Sequence, residues 1–145
     1  MATARRKRRS FHEPGHAHEL TFSRYHKFPF LKSDRTCHWL AKSINAARVA
    51  LAFHLYAYVF MPDHVHLLLK PTRPNADVAS ILRAIKQPVA HRAVEHLQRH
   101  APHWLDRIAQ PRGTRTEHRF WQPGGGYDRN IINPKTLRAA IEYIP

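Results

Sequence analysis

Two histidines separated by one residue, His64 and His66, open an apolar stretch that runs through Val65-His66-Leu67-Leu68-Leu69 to Lys70. Side chains alternate across a β-strand, so these two share one face and Val65 takes the other. Positions i and i+2 on a strand face lie about 7 Å apart. Imidazoles at that separation can converge on one divalent ion, whose ligand bonds are about 2.0–2.2 Å long. The pair therefore predicts a metal-holding strand of nuclease type; the alternative is two histidines on the solvated face of an edge strand. A phosphodiester cut also needs an attacking oxygen, and tyrosine suits reversible strand transfer because a phosphotyrosine ester keeps the energy of the broken bond for rejoining. Tyr127 and Tyr143 are the late tyrosines, and chemistry alone leaves both open. His12, His16 and His18 surround Pro14-Gly15, a turn that gives them no fixed ligand geometry.

The rest of the chain must place these groups. Its 145 residues make one domain long enough for a genuine core, and 43% hydrophobic content argues against wholesale disorder. Lys+Arg 24 against Asp+Glu 10 gives a formal charge of +14, with 13 histidines able to add more in acid. Such a surface concentrates polyanions, and nucleic acid is the commonest one in a cytoplasm. No apolar run approaches the roughly 20 residues that span a bilayer, and no signal-peptide hydrophobic region follows the basic start Ala4-Arg5-Arg6-Lys7-Arg8-Arg9. We therefore expect a cytoplasmic protein without a membrane partner. The lone Cys37 excludes an internal disulfide and a cysteine zinc cluster, and reads as a small buried apolar residue.

Residues 1–12 read as a basic flexible arm and 13–145 as one domain. Alternation of Leu20 and Phe22 with Thr21 and Ser23 predicts a first strand over 18–25. Asp34 is the expected N-cap of a helix over 35–50, striped by Trp39, Leu40, Ile44, Ala47 and Val49. Strands over 53–60 and 64–70 should form a hairpin through Met61-Pro62-Asp63. A helix over 77–100 should turn Val78, Ile81, Leu82, Ile85, Val89, Ala93 and Leu97 inward, with Pro88 kinking or breaking it. Its polar face carries Arg83, Lys86, His91, Arg92 and Arg99, a basic row that could follow a phosphate backbone. Residues 101–117 look irregular, 118–122 a short strand, and Gly124-Gly125-Gly126 a connection rather than a nucleotide loop. Tyr127 to Ile131 should pair briefly, and a final helix should run over 135–144. The order β-α-β-β-α-β-α fits an α+β, ferredoxin-like antiparallel sheet with helices packed on one face.

Four segments in this order carry a family resemblance: Gly15-His16-Ala17-His18 to Tyr25, Met61-Pro62-Asp63-His64-Val65-His66-Leu67-Leu68, Phe120-Trp121-Gln122-Pro123 through Arg129, and Ile141-Glu142-Tyr143-Ile144. Together they resemble the REP-associated tyrosine transposases, single-tyrosine members of the superfamily of endonucleases with a His-hydrophobic-His motif (HUH). The resemblance implies metal-dependent cutting and rejoining of single-stranded, often hairpin-folded DNA. It implies Mg2+ or Mn2+ on His64 and His66, and Tyr143 as the nucleophile, leaving a 5′-phosphotyrosine and a free 3′-hydroxyl. For DNA backbone contacts we choose Arg83, Lys86 and Arg129. In the family an Asn four residues after the tyrosine can complete the metal site. The sequence ends at Pro145, so a domain lacking the family's C-terminal extension is expected here. A non-cleaving DNA-binding module descended from such a transposase is the alternative, and monomer and helix-exchanging homodimer both stay open. A small RNA-binding ferredoxin-like protein is disfavoured by the absence of paired aromatics for base stacking.

Overall fold

The computed structural model describes residues 16–27, 31, 33–73, 77–123 and 127–131, the last five through their backbone pairing. The basic arm, the triglycine segment, the expected final helix and Tyr143 lie outside the described residues. The elements run β1 (Ala17–Ser23), α1 (Asp34–Leu51), β2 (Phe53–Phe60), β3 (His64–Pro71), α2 (Val78–His100), α3 (Pro102–Ile108), β4 (Ala109–Arg112), β5 (Arg115–His118) and β6 (Tyr127–Ile131).

The main sheet has the order β2-β3-β1-β6, and every neighbouring pair is antiparallel. Chain order against spatial order is that of the ferredoxin-like expectation. Leu20 and Phe22 of β1 and Val65, Leu67 and Leu69 of β3 enter one cluster with Leu40, Ile44 and Ala47 of α1 and Ile81, Ile85 and Val89 of α2. The two long helices thus cover the same sheet face. Thr21 and His66 share the opposite one, because the antiparallel register places Thr21 against His66 and Ser23 against His64. The β2–β3 hairpin closes through the Met61 N–H donating to the His64 carbonyl at 2.8 Å.

Helix α1 departs from expectation at both ends. Ser33 takes the extended cap position and Asp34 sits in the first turn, where its charge complements the helix dipole. Leu40, Ile44 and Ala47 form the buried stripe, but Val49 is 70% exposed because it lies off the i, i+4, i+7 face. Ala52 ends the helix in the left-handed region, with φ 51° and ψ 72°.

All seven residues expected to face inward from α2 are buried. Asp77 caps the helix, accepting from the Ala79 N–H at 3.1 Å. Pro88 does not break it: the helix is continuous from Val78 to His100. A proline in a helix interior costs about 3 kcal/mol, chiefly by removing a donor and crowding the carbonyl four residues back. Here the carbonyls at that point are served from α1: the buried Ser43 hydroxyl lies 2.7 Å from the Ile85 carbonyl oxygen and 3.3 Å from that of Ala84. Burying Val89 and Leu97 beyond the proline contributes about 1.5–3 kcal/mol each, enough with that bond to carry the helix on.

The stretch expected to be irregular, 101–117, is ordered. Pro102 opens α3 at a position that needs no N–H donor. Gly113, at φ +62°, lets β4 turn straight back into β5. The strand expected over 118–122 is absent; β5 ends at His118, and Trp121 makes an isolated bridge to Arg24. Among the described residues no helix is long and apolar enough to cross a membrane.

Candidate functional site

Strand β3 lies inside the sheet, paired to β2 on one side and β1 on the other, so its backbone is fixed along both edges. That fixes the alternation at its start: Val65 is fully buried in the helix-covered core, while His64 and His66 are half-buried on the opposite face. Their rings converge, with centroids 4.7 Å apart and planes at 79°.

Each imidazole is held at Nδ1. His64 Nδ1 lies 2.7 Å from Asp63 Oδ1, so its N–H donates to the carboxylate. His66 Nδ1 lies 3.1 Å from Thr21 Oγ1, across the β1–β3 pairing. Metal-bound histidines commonly donate their other ring N–H to such a partner, which fixes ring orientation and leaves Nε2 for the metal. Burial pushes the His66 pKa down, the neighbouring His64 pushes it further the same way, and Glu19 opposes them. A lowered pKa favours neutral imidazole, the form that ligates. Two imidazoles with both Nε2 atoms left over fit a divalent ion that keeps open positions for phosphate and water. Imidazole suits Mn2+ better than Mg2+, which prefers an oxygen shell. Among the described residues no group of three or more His, Cys, Asp or Glu side chains is arranged to hold a metal.

Sequence reasoning missed the residue behind this pair. Arg24 is fully buried, its guanidinium carbon 4.4 Å from the centroid of Phe120 and 5.9 Å from that of Trp121. Its backbone N–H donates to the Asp63 carbonyl at 2.9 Å. The segment that encloses it is the Phe120-Trp121-Gln122 motif, docked by Tyr25 N–H to the Phe120 carbonyl and Gln122 N–H to the Ser23 carbonyl. Burial lowers the Arg24 pKa to about 9 while the Asp63 charge raises it, so the guanidinium stays charged at neutral pH. Arginine is ordinarily a surface residue, and nothing in the local sequence marks this one as interior.

The three basic residues chosen for DNA contacts lie on two elements, α2 and β6. Arg83 is exposed on α2. Lys86 turns inward, its ammonium 5.7 Å from the Phe22 ring centroid on the helix-covered face, and burial lowers its pKa. Arg129 pairs in register with Glu19 on the far edge of the sheet, and Tyr127 pairs with Thr21, the partner of His66.

Residues 16–144 match the family described as transposase IS200 like. The match takes in nearly the whole chain, and the protein belongs to that family. The fold is shared with a REP-associated tyrosine transposase solved bound to a REP hairpin: TM-score 0.71 and 19% identity over 95% of this chain and 69% of that one. A Deinococcus radiodurans protein described as a transposase aligns with TM-score 0.55 and 23% identity, over 98% of this chain and 93% of its own. No curated protein matches the sequence. The sequence-based resemblance is thus borne out for family and fold.

Proposed function

We propose that the protein is a metal-dependent single-stranded DNA endonuclease and strand transferase acting on hairpin DNA through a tyrosine of its own chain. The observation that carries this reading is the convergence of His64 and His66 with both Nδ1 atoms engaged. A formal charge of +14 suits a phosphate backbone. The hairpin bound to the REP-associated structure makes folded single-stranded DNA the ligand to test first.

A divalent ion, Mn2+ or Mg2+, held by His64 and His66 would neutralise charge on the scissile phosphate. The protein's part is to hold two neutral imidazoles at fixed spacing and to present the phosphate to the nucleophile. The Tyr143 hydroxyl oxygen attacks phosphorus in line and the bond to the 3′-oxygen breaks. A 5′-phosphotyrosine ester remains, and the proton given up by tyrosine is matched by the one gained at the 3′-hydroxyl. Reversal on another strand rejoins DNA. Tyr127, in the same sheet row as His66, is the control.

The test is a denaturing gel of the protein with Mn2+ and end-labelled DNA hairpins bearing randomised single-stranded flanks. Wild type and Tyr127→Phe should give a covalent adduct, and Tyr143→Phe and His66→Ala should not. Hairpin binding without adduct would replace the enzyme by a non-cleaving DNA-binding module. An adduct that survives Tyr143→Phe and disappears with Tyr127→Phe would move the nucleophile to β6.

A further inference from the structure

The environments of the two histidines are unequal. His66 rests on the neutral hydroxyl of Thr21, whereas His64 rests on a carboxylate, Asp63. The segment bonded to the Asp63 backbone carries an arginine at zero exposure, an expensive choice for a cation unless its charge is answered. Among the described residues the face of Phe120 lies 4.4 Å from the guanidinium and the ring of Trp121 5.9 Å from it. The backbone bond from Arg24 to Asp63 ties the end of β1 to the turn that precedes His64.

We infer that Arg24 is a positioning residue for His64, acting through Asp63. Its side chain is anchored on the Phe120 and Trp121 rings and its backbone N–H holds the turn, so that the Asp63 carboxylate accepts the Nδ1–H of His64 and leaves Nε2 as the electron-rich nitrogen. A carboxylate partner raises the donor strength of an imidazole more than a hydroxyl does, so His64 is the stronger of the two ligands. The Phe120-Trp121 segment, which bears neither histidine, then has a role: its rings hold Arg24 in place. This inference rests on the metal reading above, but its first consequence is visible without metal.

In metal-free protein labelled with 15N-histidine, long-range proton–nitrogen spectra above the imidazole titration report which ring nitrogen carries the proton. His64 should be almost entirely the Nδ1–H tautomer in wild type. In Asp63→Asn and Arg24→Met it should become a mixture. By calorimetry these two variants should bind Mn2+ about tenfold more weakly than wild type, and Thr21→Val should lose less. Arg24→Lys, which keeps a cation on the Phe120 face, should recover part of both signals. An Nε2–H tautomer of His64 in wild type would overturn the inference. So would an Arg24→Met protein that folds with unchanged tautomer and Mn2+ affinity. Should Arg24→Met not fold, an unchanged tautomer in Asp63→Asn would be equally decisive. Wild type that shows the Nδ1–H tautomer but binds no Mn2+ would remove the metal reading and leave the positioning of His64 standing.

Discussion

Replacing Ser43 by alanine tests why α2 survives its proline. The hydroxyl is buried and lies 2.7 Å from the Ile85 carbonyl and 3.3 Å from that of Ala84, whose normal helical donor would be the N–H that Pro88 lacks. Removing it takes a donor from the part-buried Ala84 carbonyl, which costs about 1–3 kcal/mol, with little added for the lost volume of one oxygen. We expect Ser43→Ala to lose about 2 kcal/mol, or about 6 °C in Tm for a chain of this size. Pro88→Ala restores an N–H to the Ala84 carbonyl, so in that background the same substitution should cost only about 0.5–1 kcal/mol. Urea unfolding followed by circular dichroism on wild type, both single variants and the double gives the coupling directly. A coupling near 1 kcal/mol supports the compensation. Strictly additive losses would refute it, and the continuity of α2 would then rest on packing of Val89, Ala93 and Leu97 alone.

Two further outcomes follow from local geometry. Ala52 holds a left-handed backbone at φ 51° that glycine adopts without strain, so Ala52→Gly should raise stability by about 0.5–1 kcal/mol in the same unfolding assay. No gain would mean that the side chain's contacts outweigh the strain. His96 accepts a hydrogen bond from Arg35 at 2.9 Å, and burial, Arg35 and His100, in that order, lower its pKa below 6.5. The unfolded chain therefore takes up a proton first as pH falls through 6.5, and this group's contribution to stability is lost on acidification. His96→Gln, which keeps an acceptor but cannot titrate there, should flatten stability against pH between that value and the lowered one; an unchanged slope would assign the acid sensitivity to other histidines.

The histidine pair was legible because strand periodicity needs only neighbouring residues. So were the hairpin that carries it and the inward face of α2, which repeats at helical spacing from Val78 to Leu97. Thr21 was not legible as the partner of His66: 45 residues separate them, and strand register between distant segments leaves no trace in one sequence. That Pro88 kinks the helix at most and does not break it was not legible for the same reason, since its compensation comes from another helix. Gly113 flanked by short polar strands gave too weak a signal to separate a hairpin from a loop. Lys86 and Arg24 show the limit most clearly. Net charge is legible from composition, but which cation faces solvent and which is spent inside depends on aromatic rings brought in from elsewhere, Phe22 for one and Phe120 for the other.

The sheet register also bears on which length changes the gene can tolerate. Because β3 is paired on both sides, adding or removing one residue in Met61-Pro62-Asp63 would slide the strand by one position. His64 and His66 would then turn toward the helices and Val65, Leu67 and Leu69 toward the opposite face, exchanging the histidine pair and the core at a stroke. Among the described residues the β4–β5 hairpin, with its Gly113-Thr114 tip, pairs only within its own two strands. Drift in loop length, or a laboratory tag, has room there and none at the turn before the histidines.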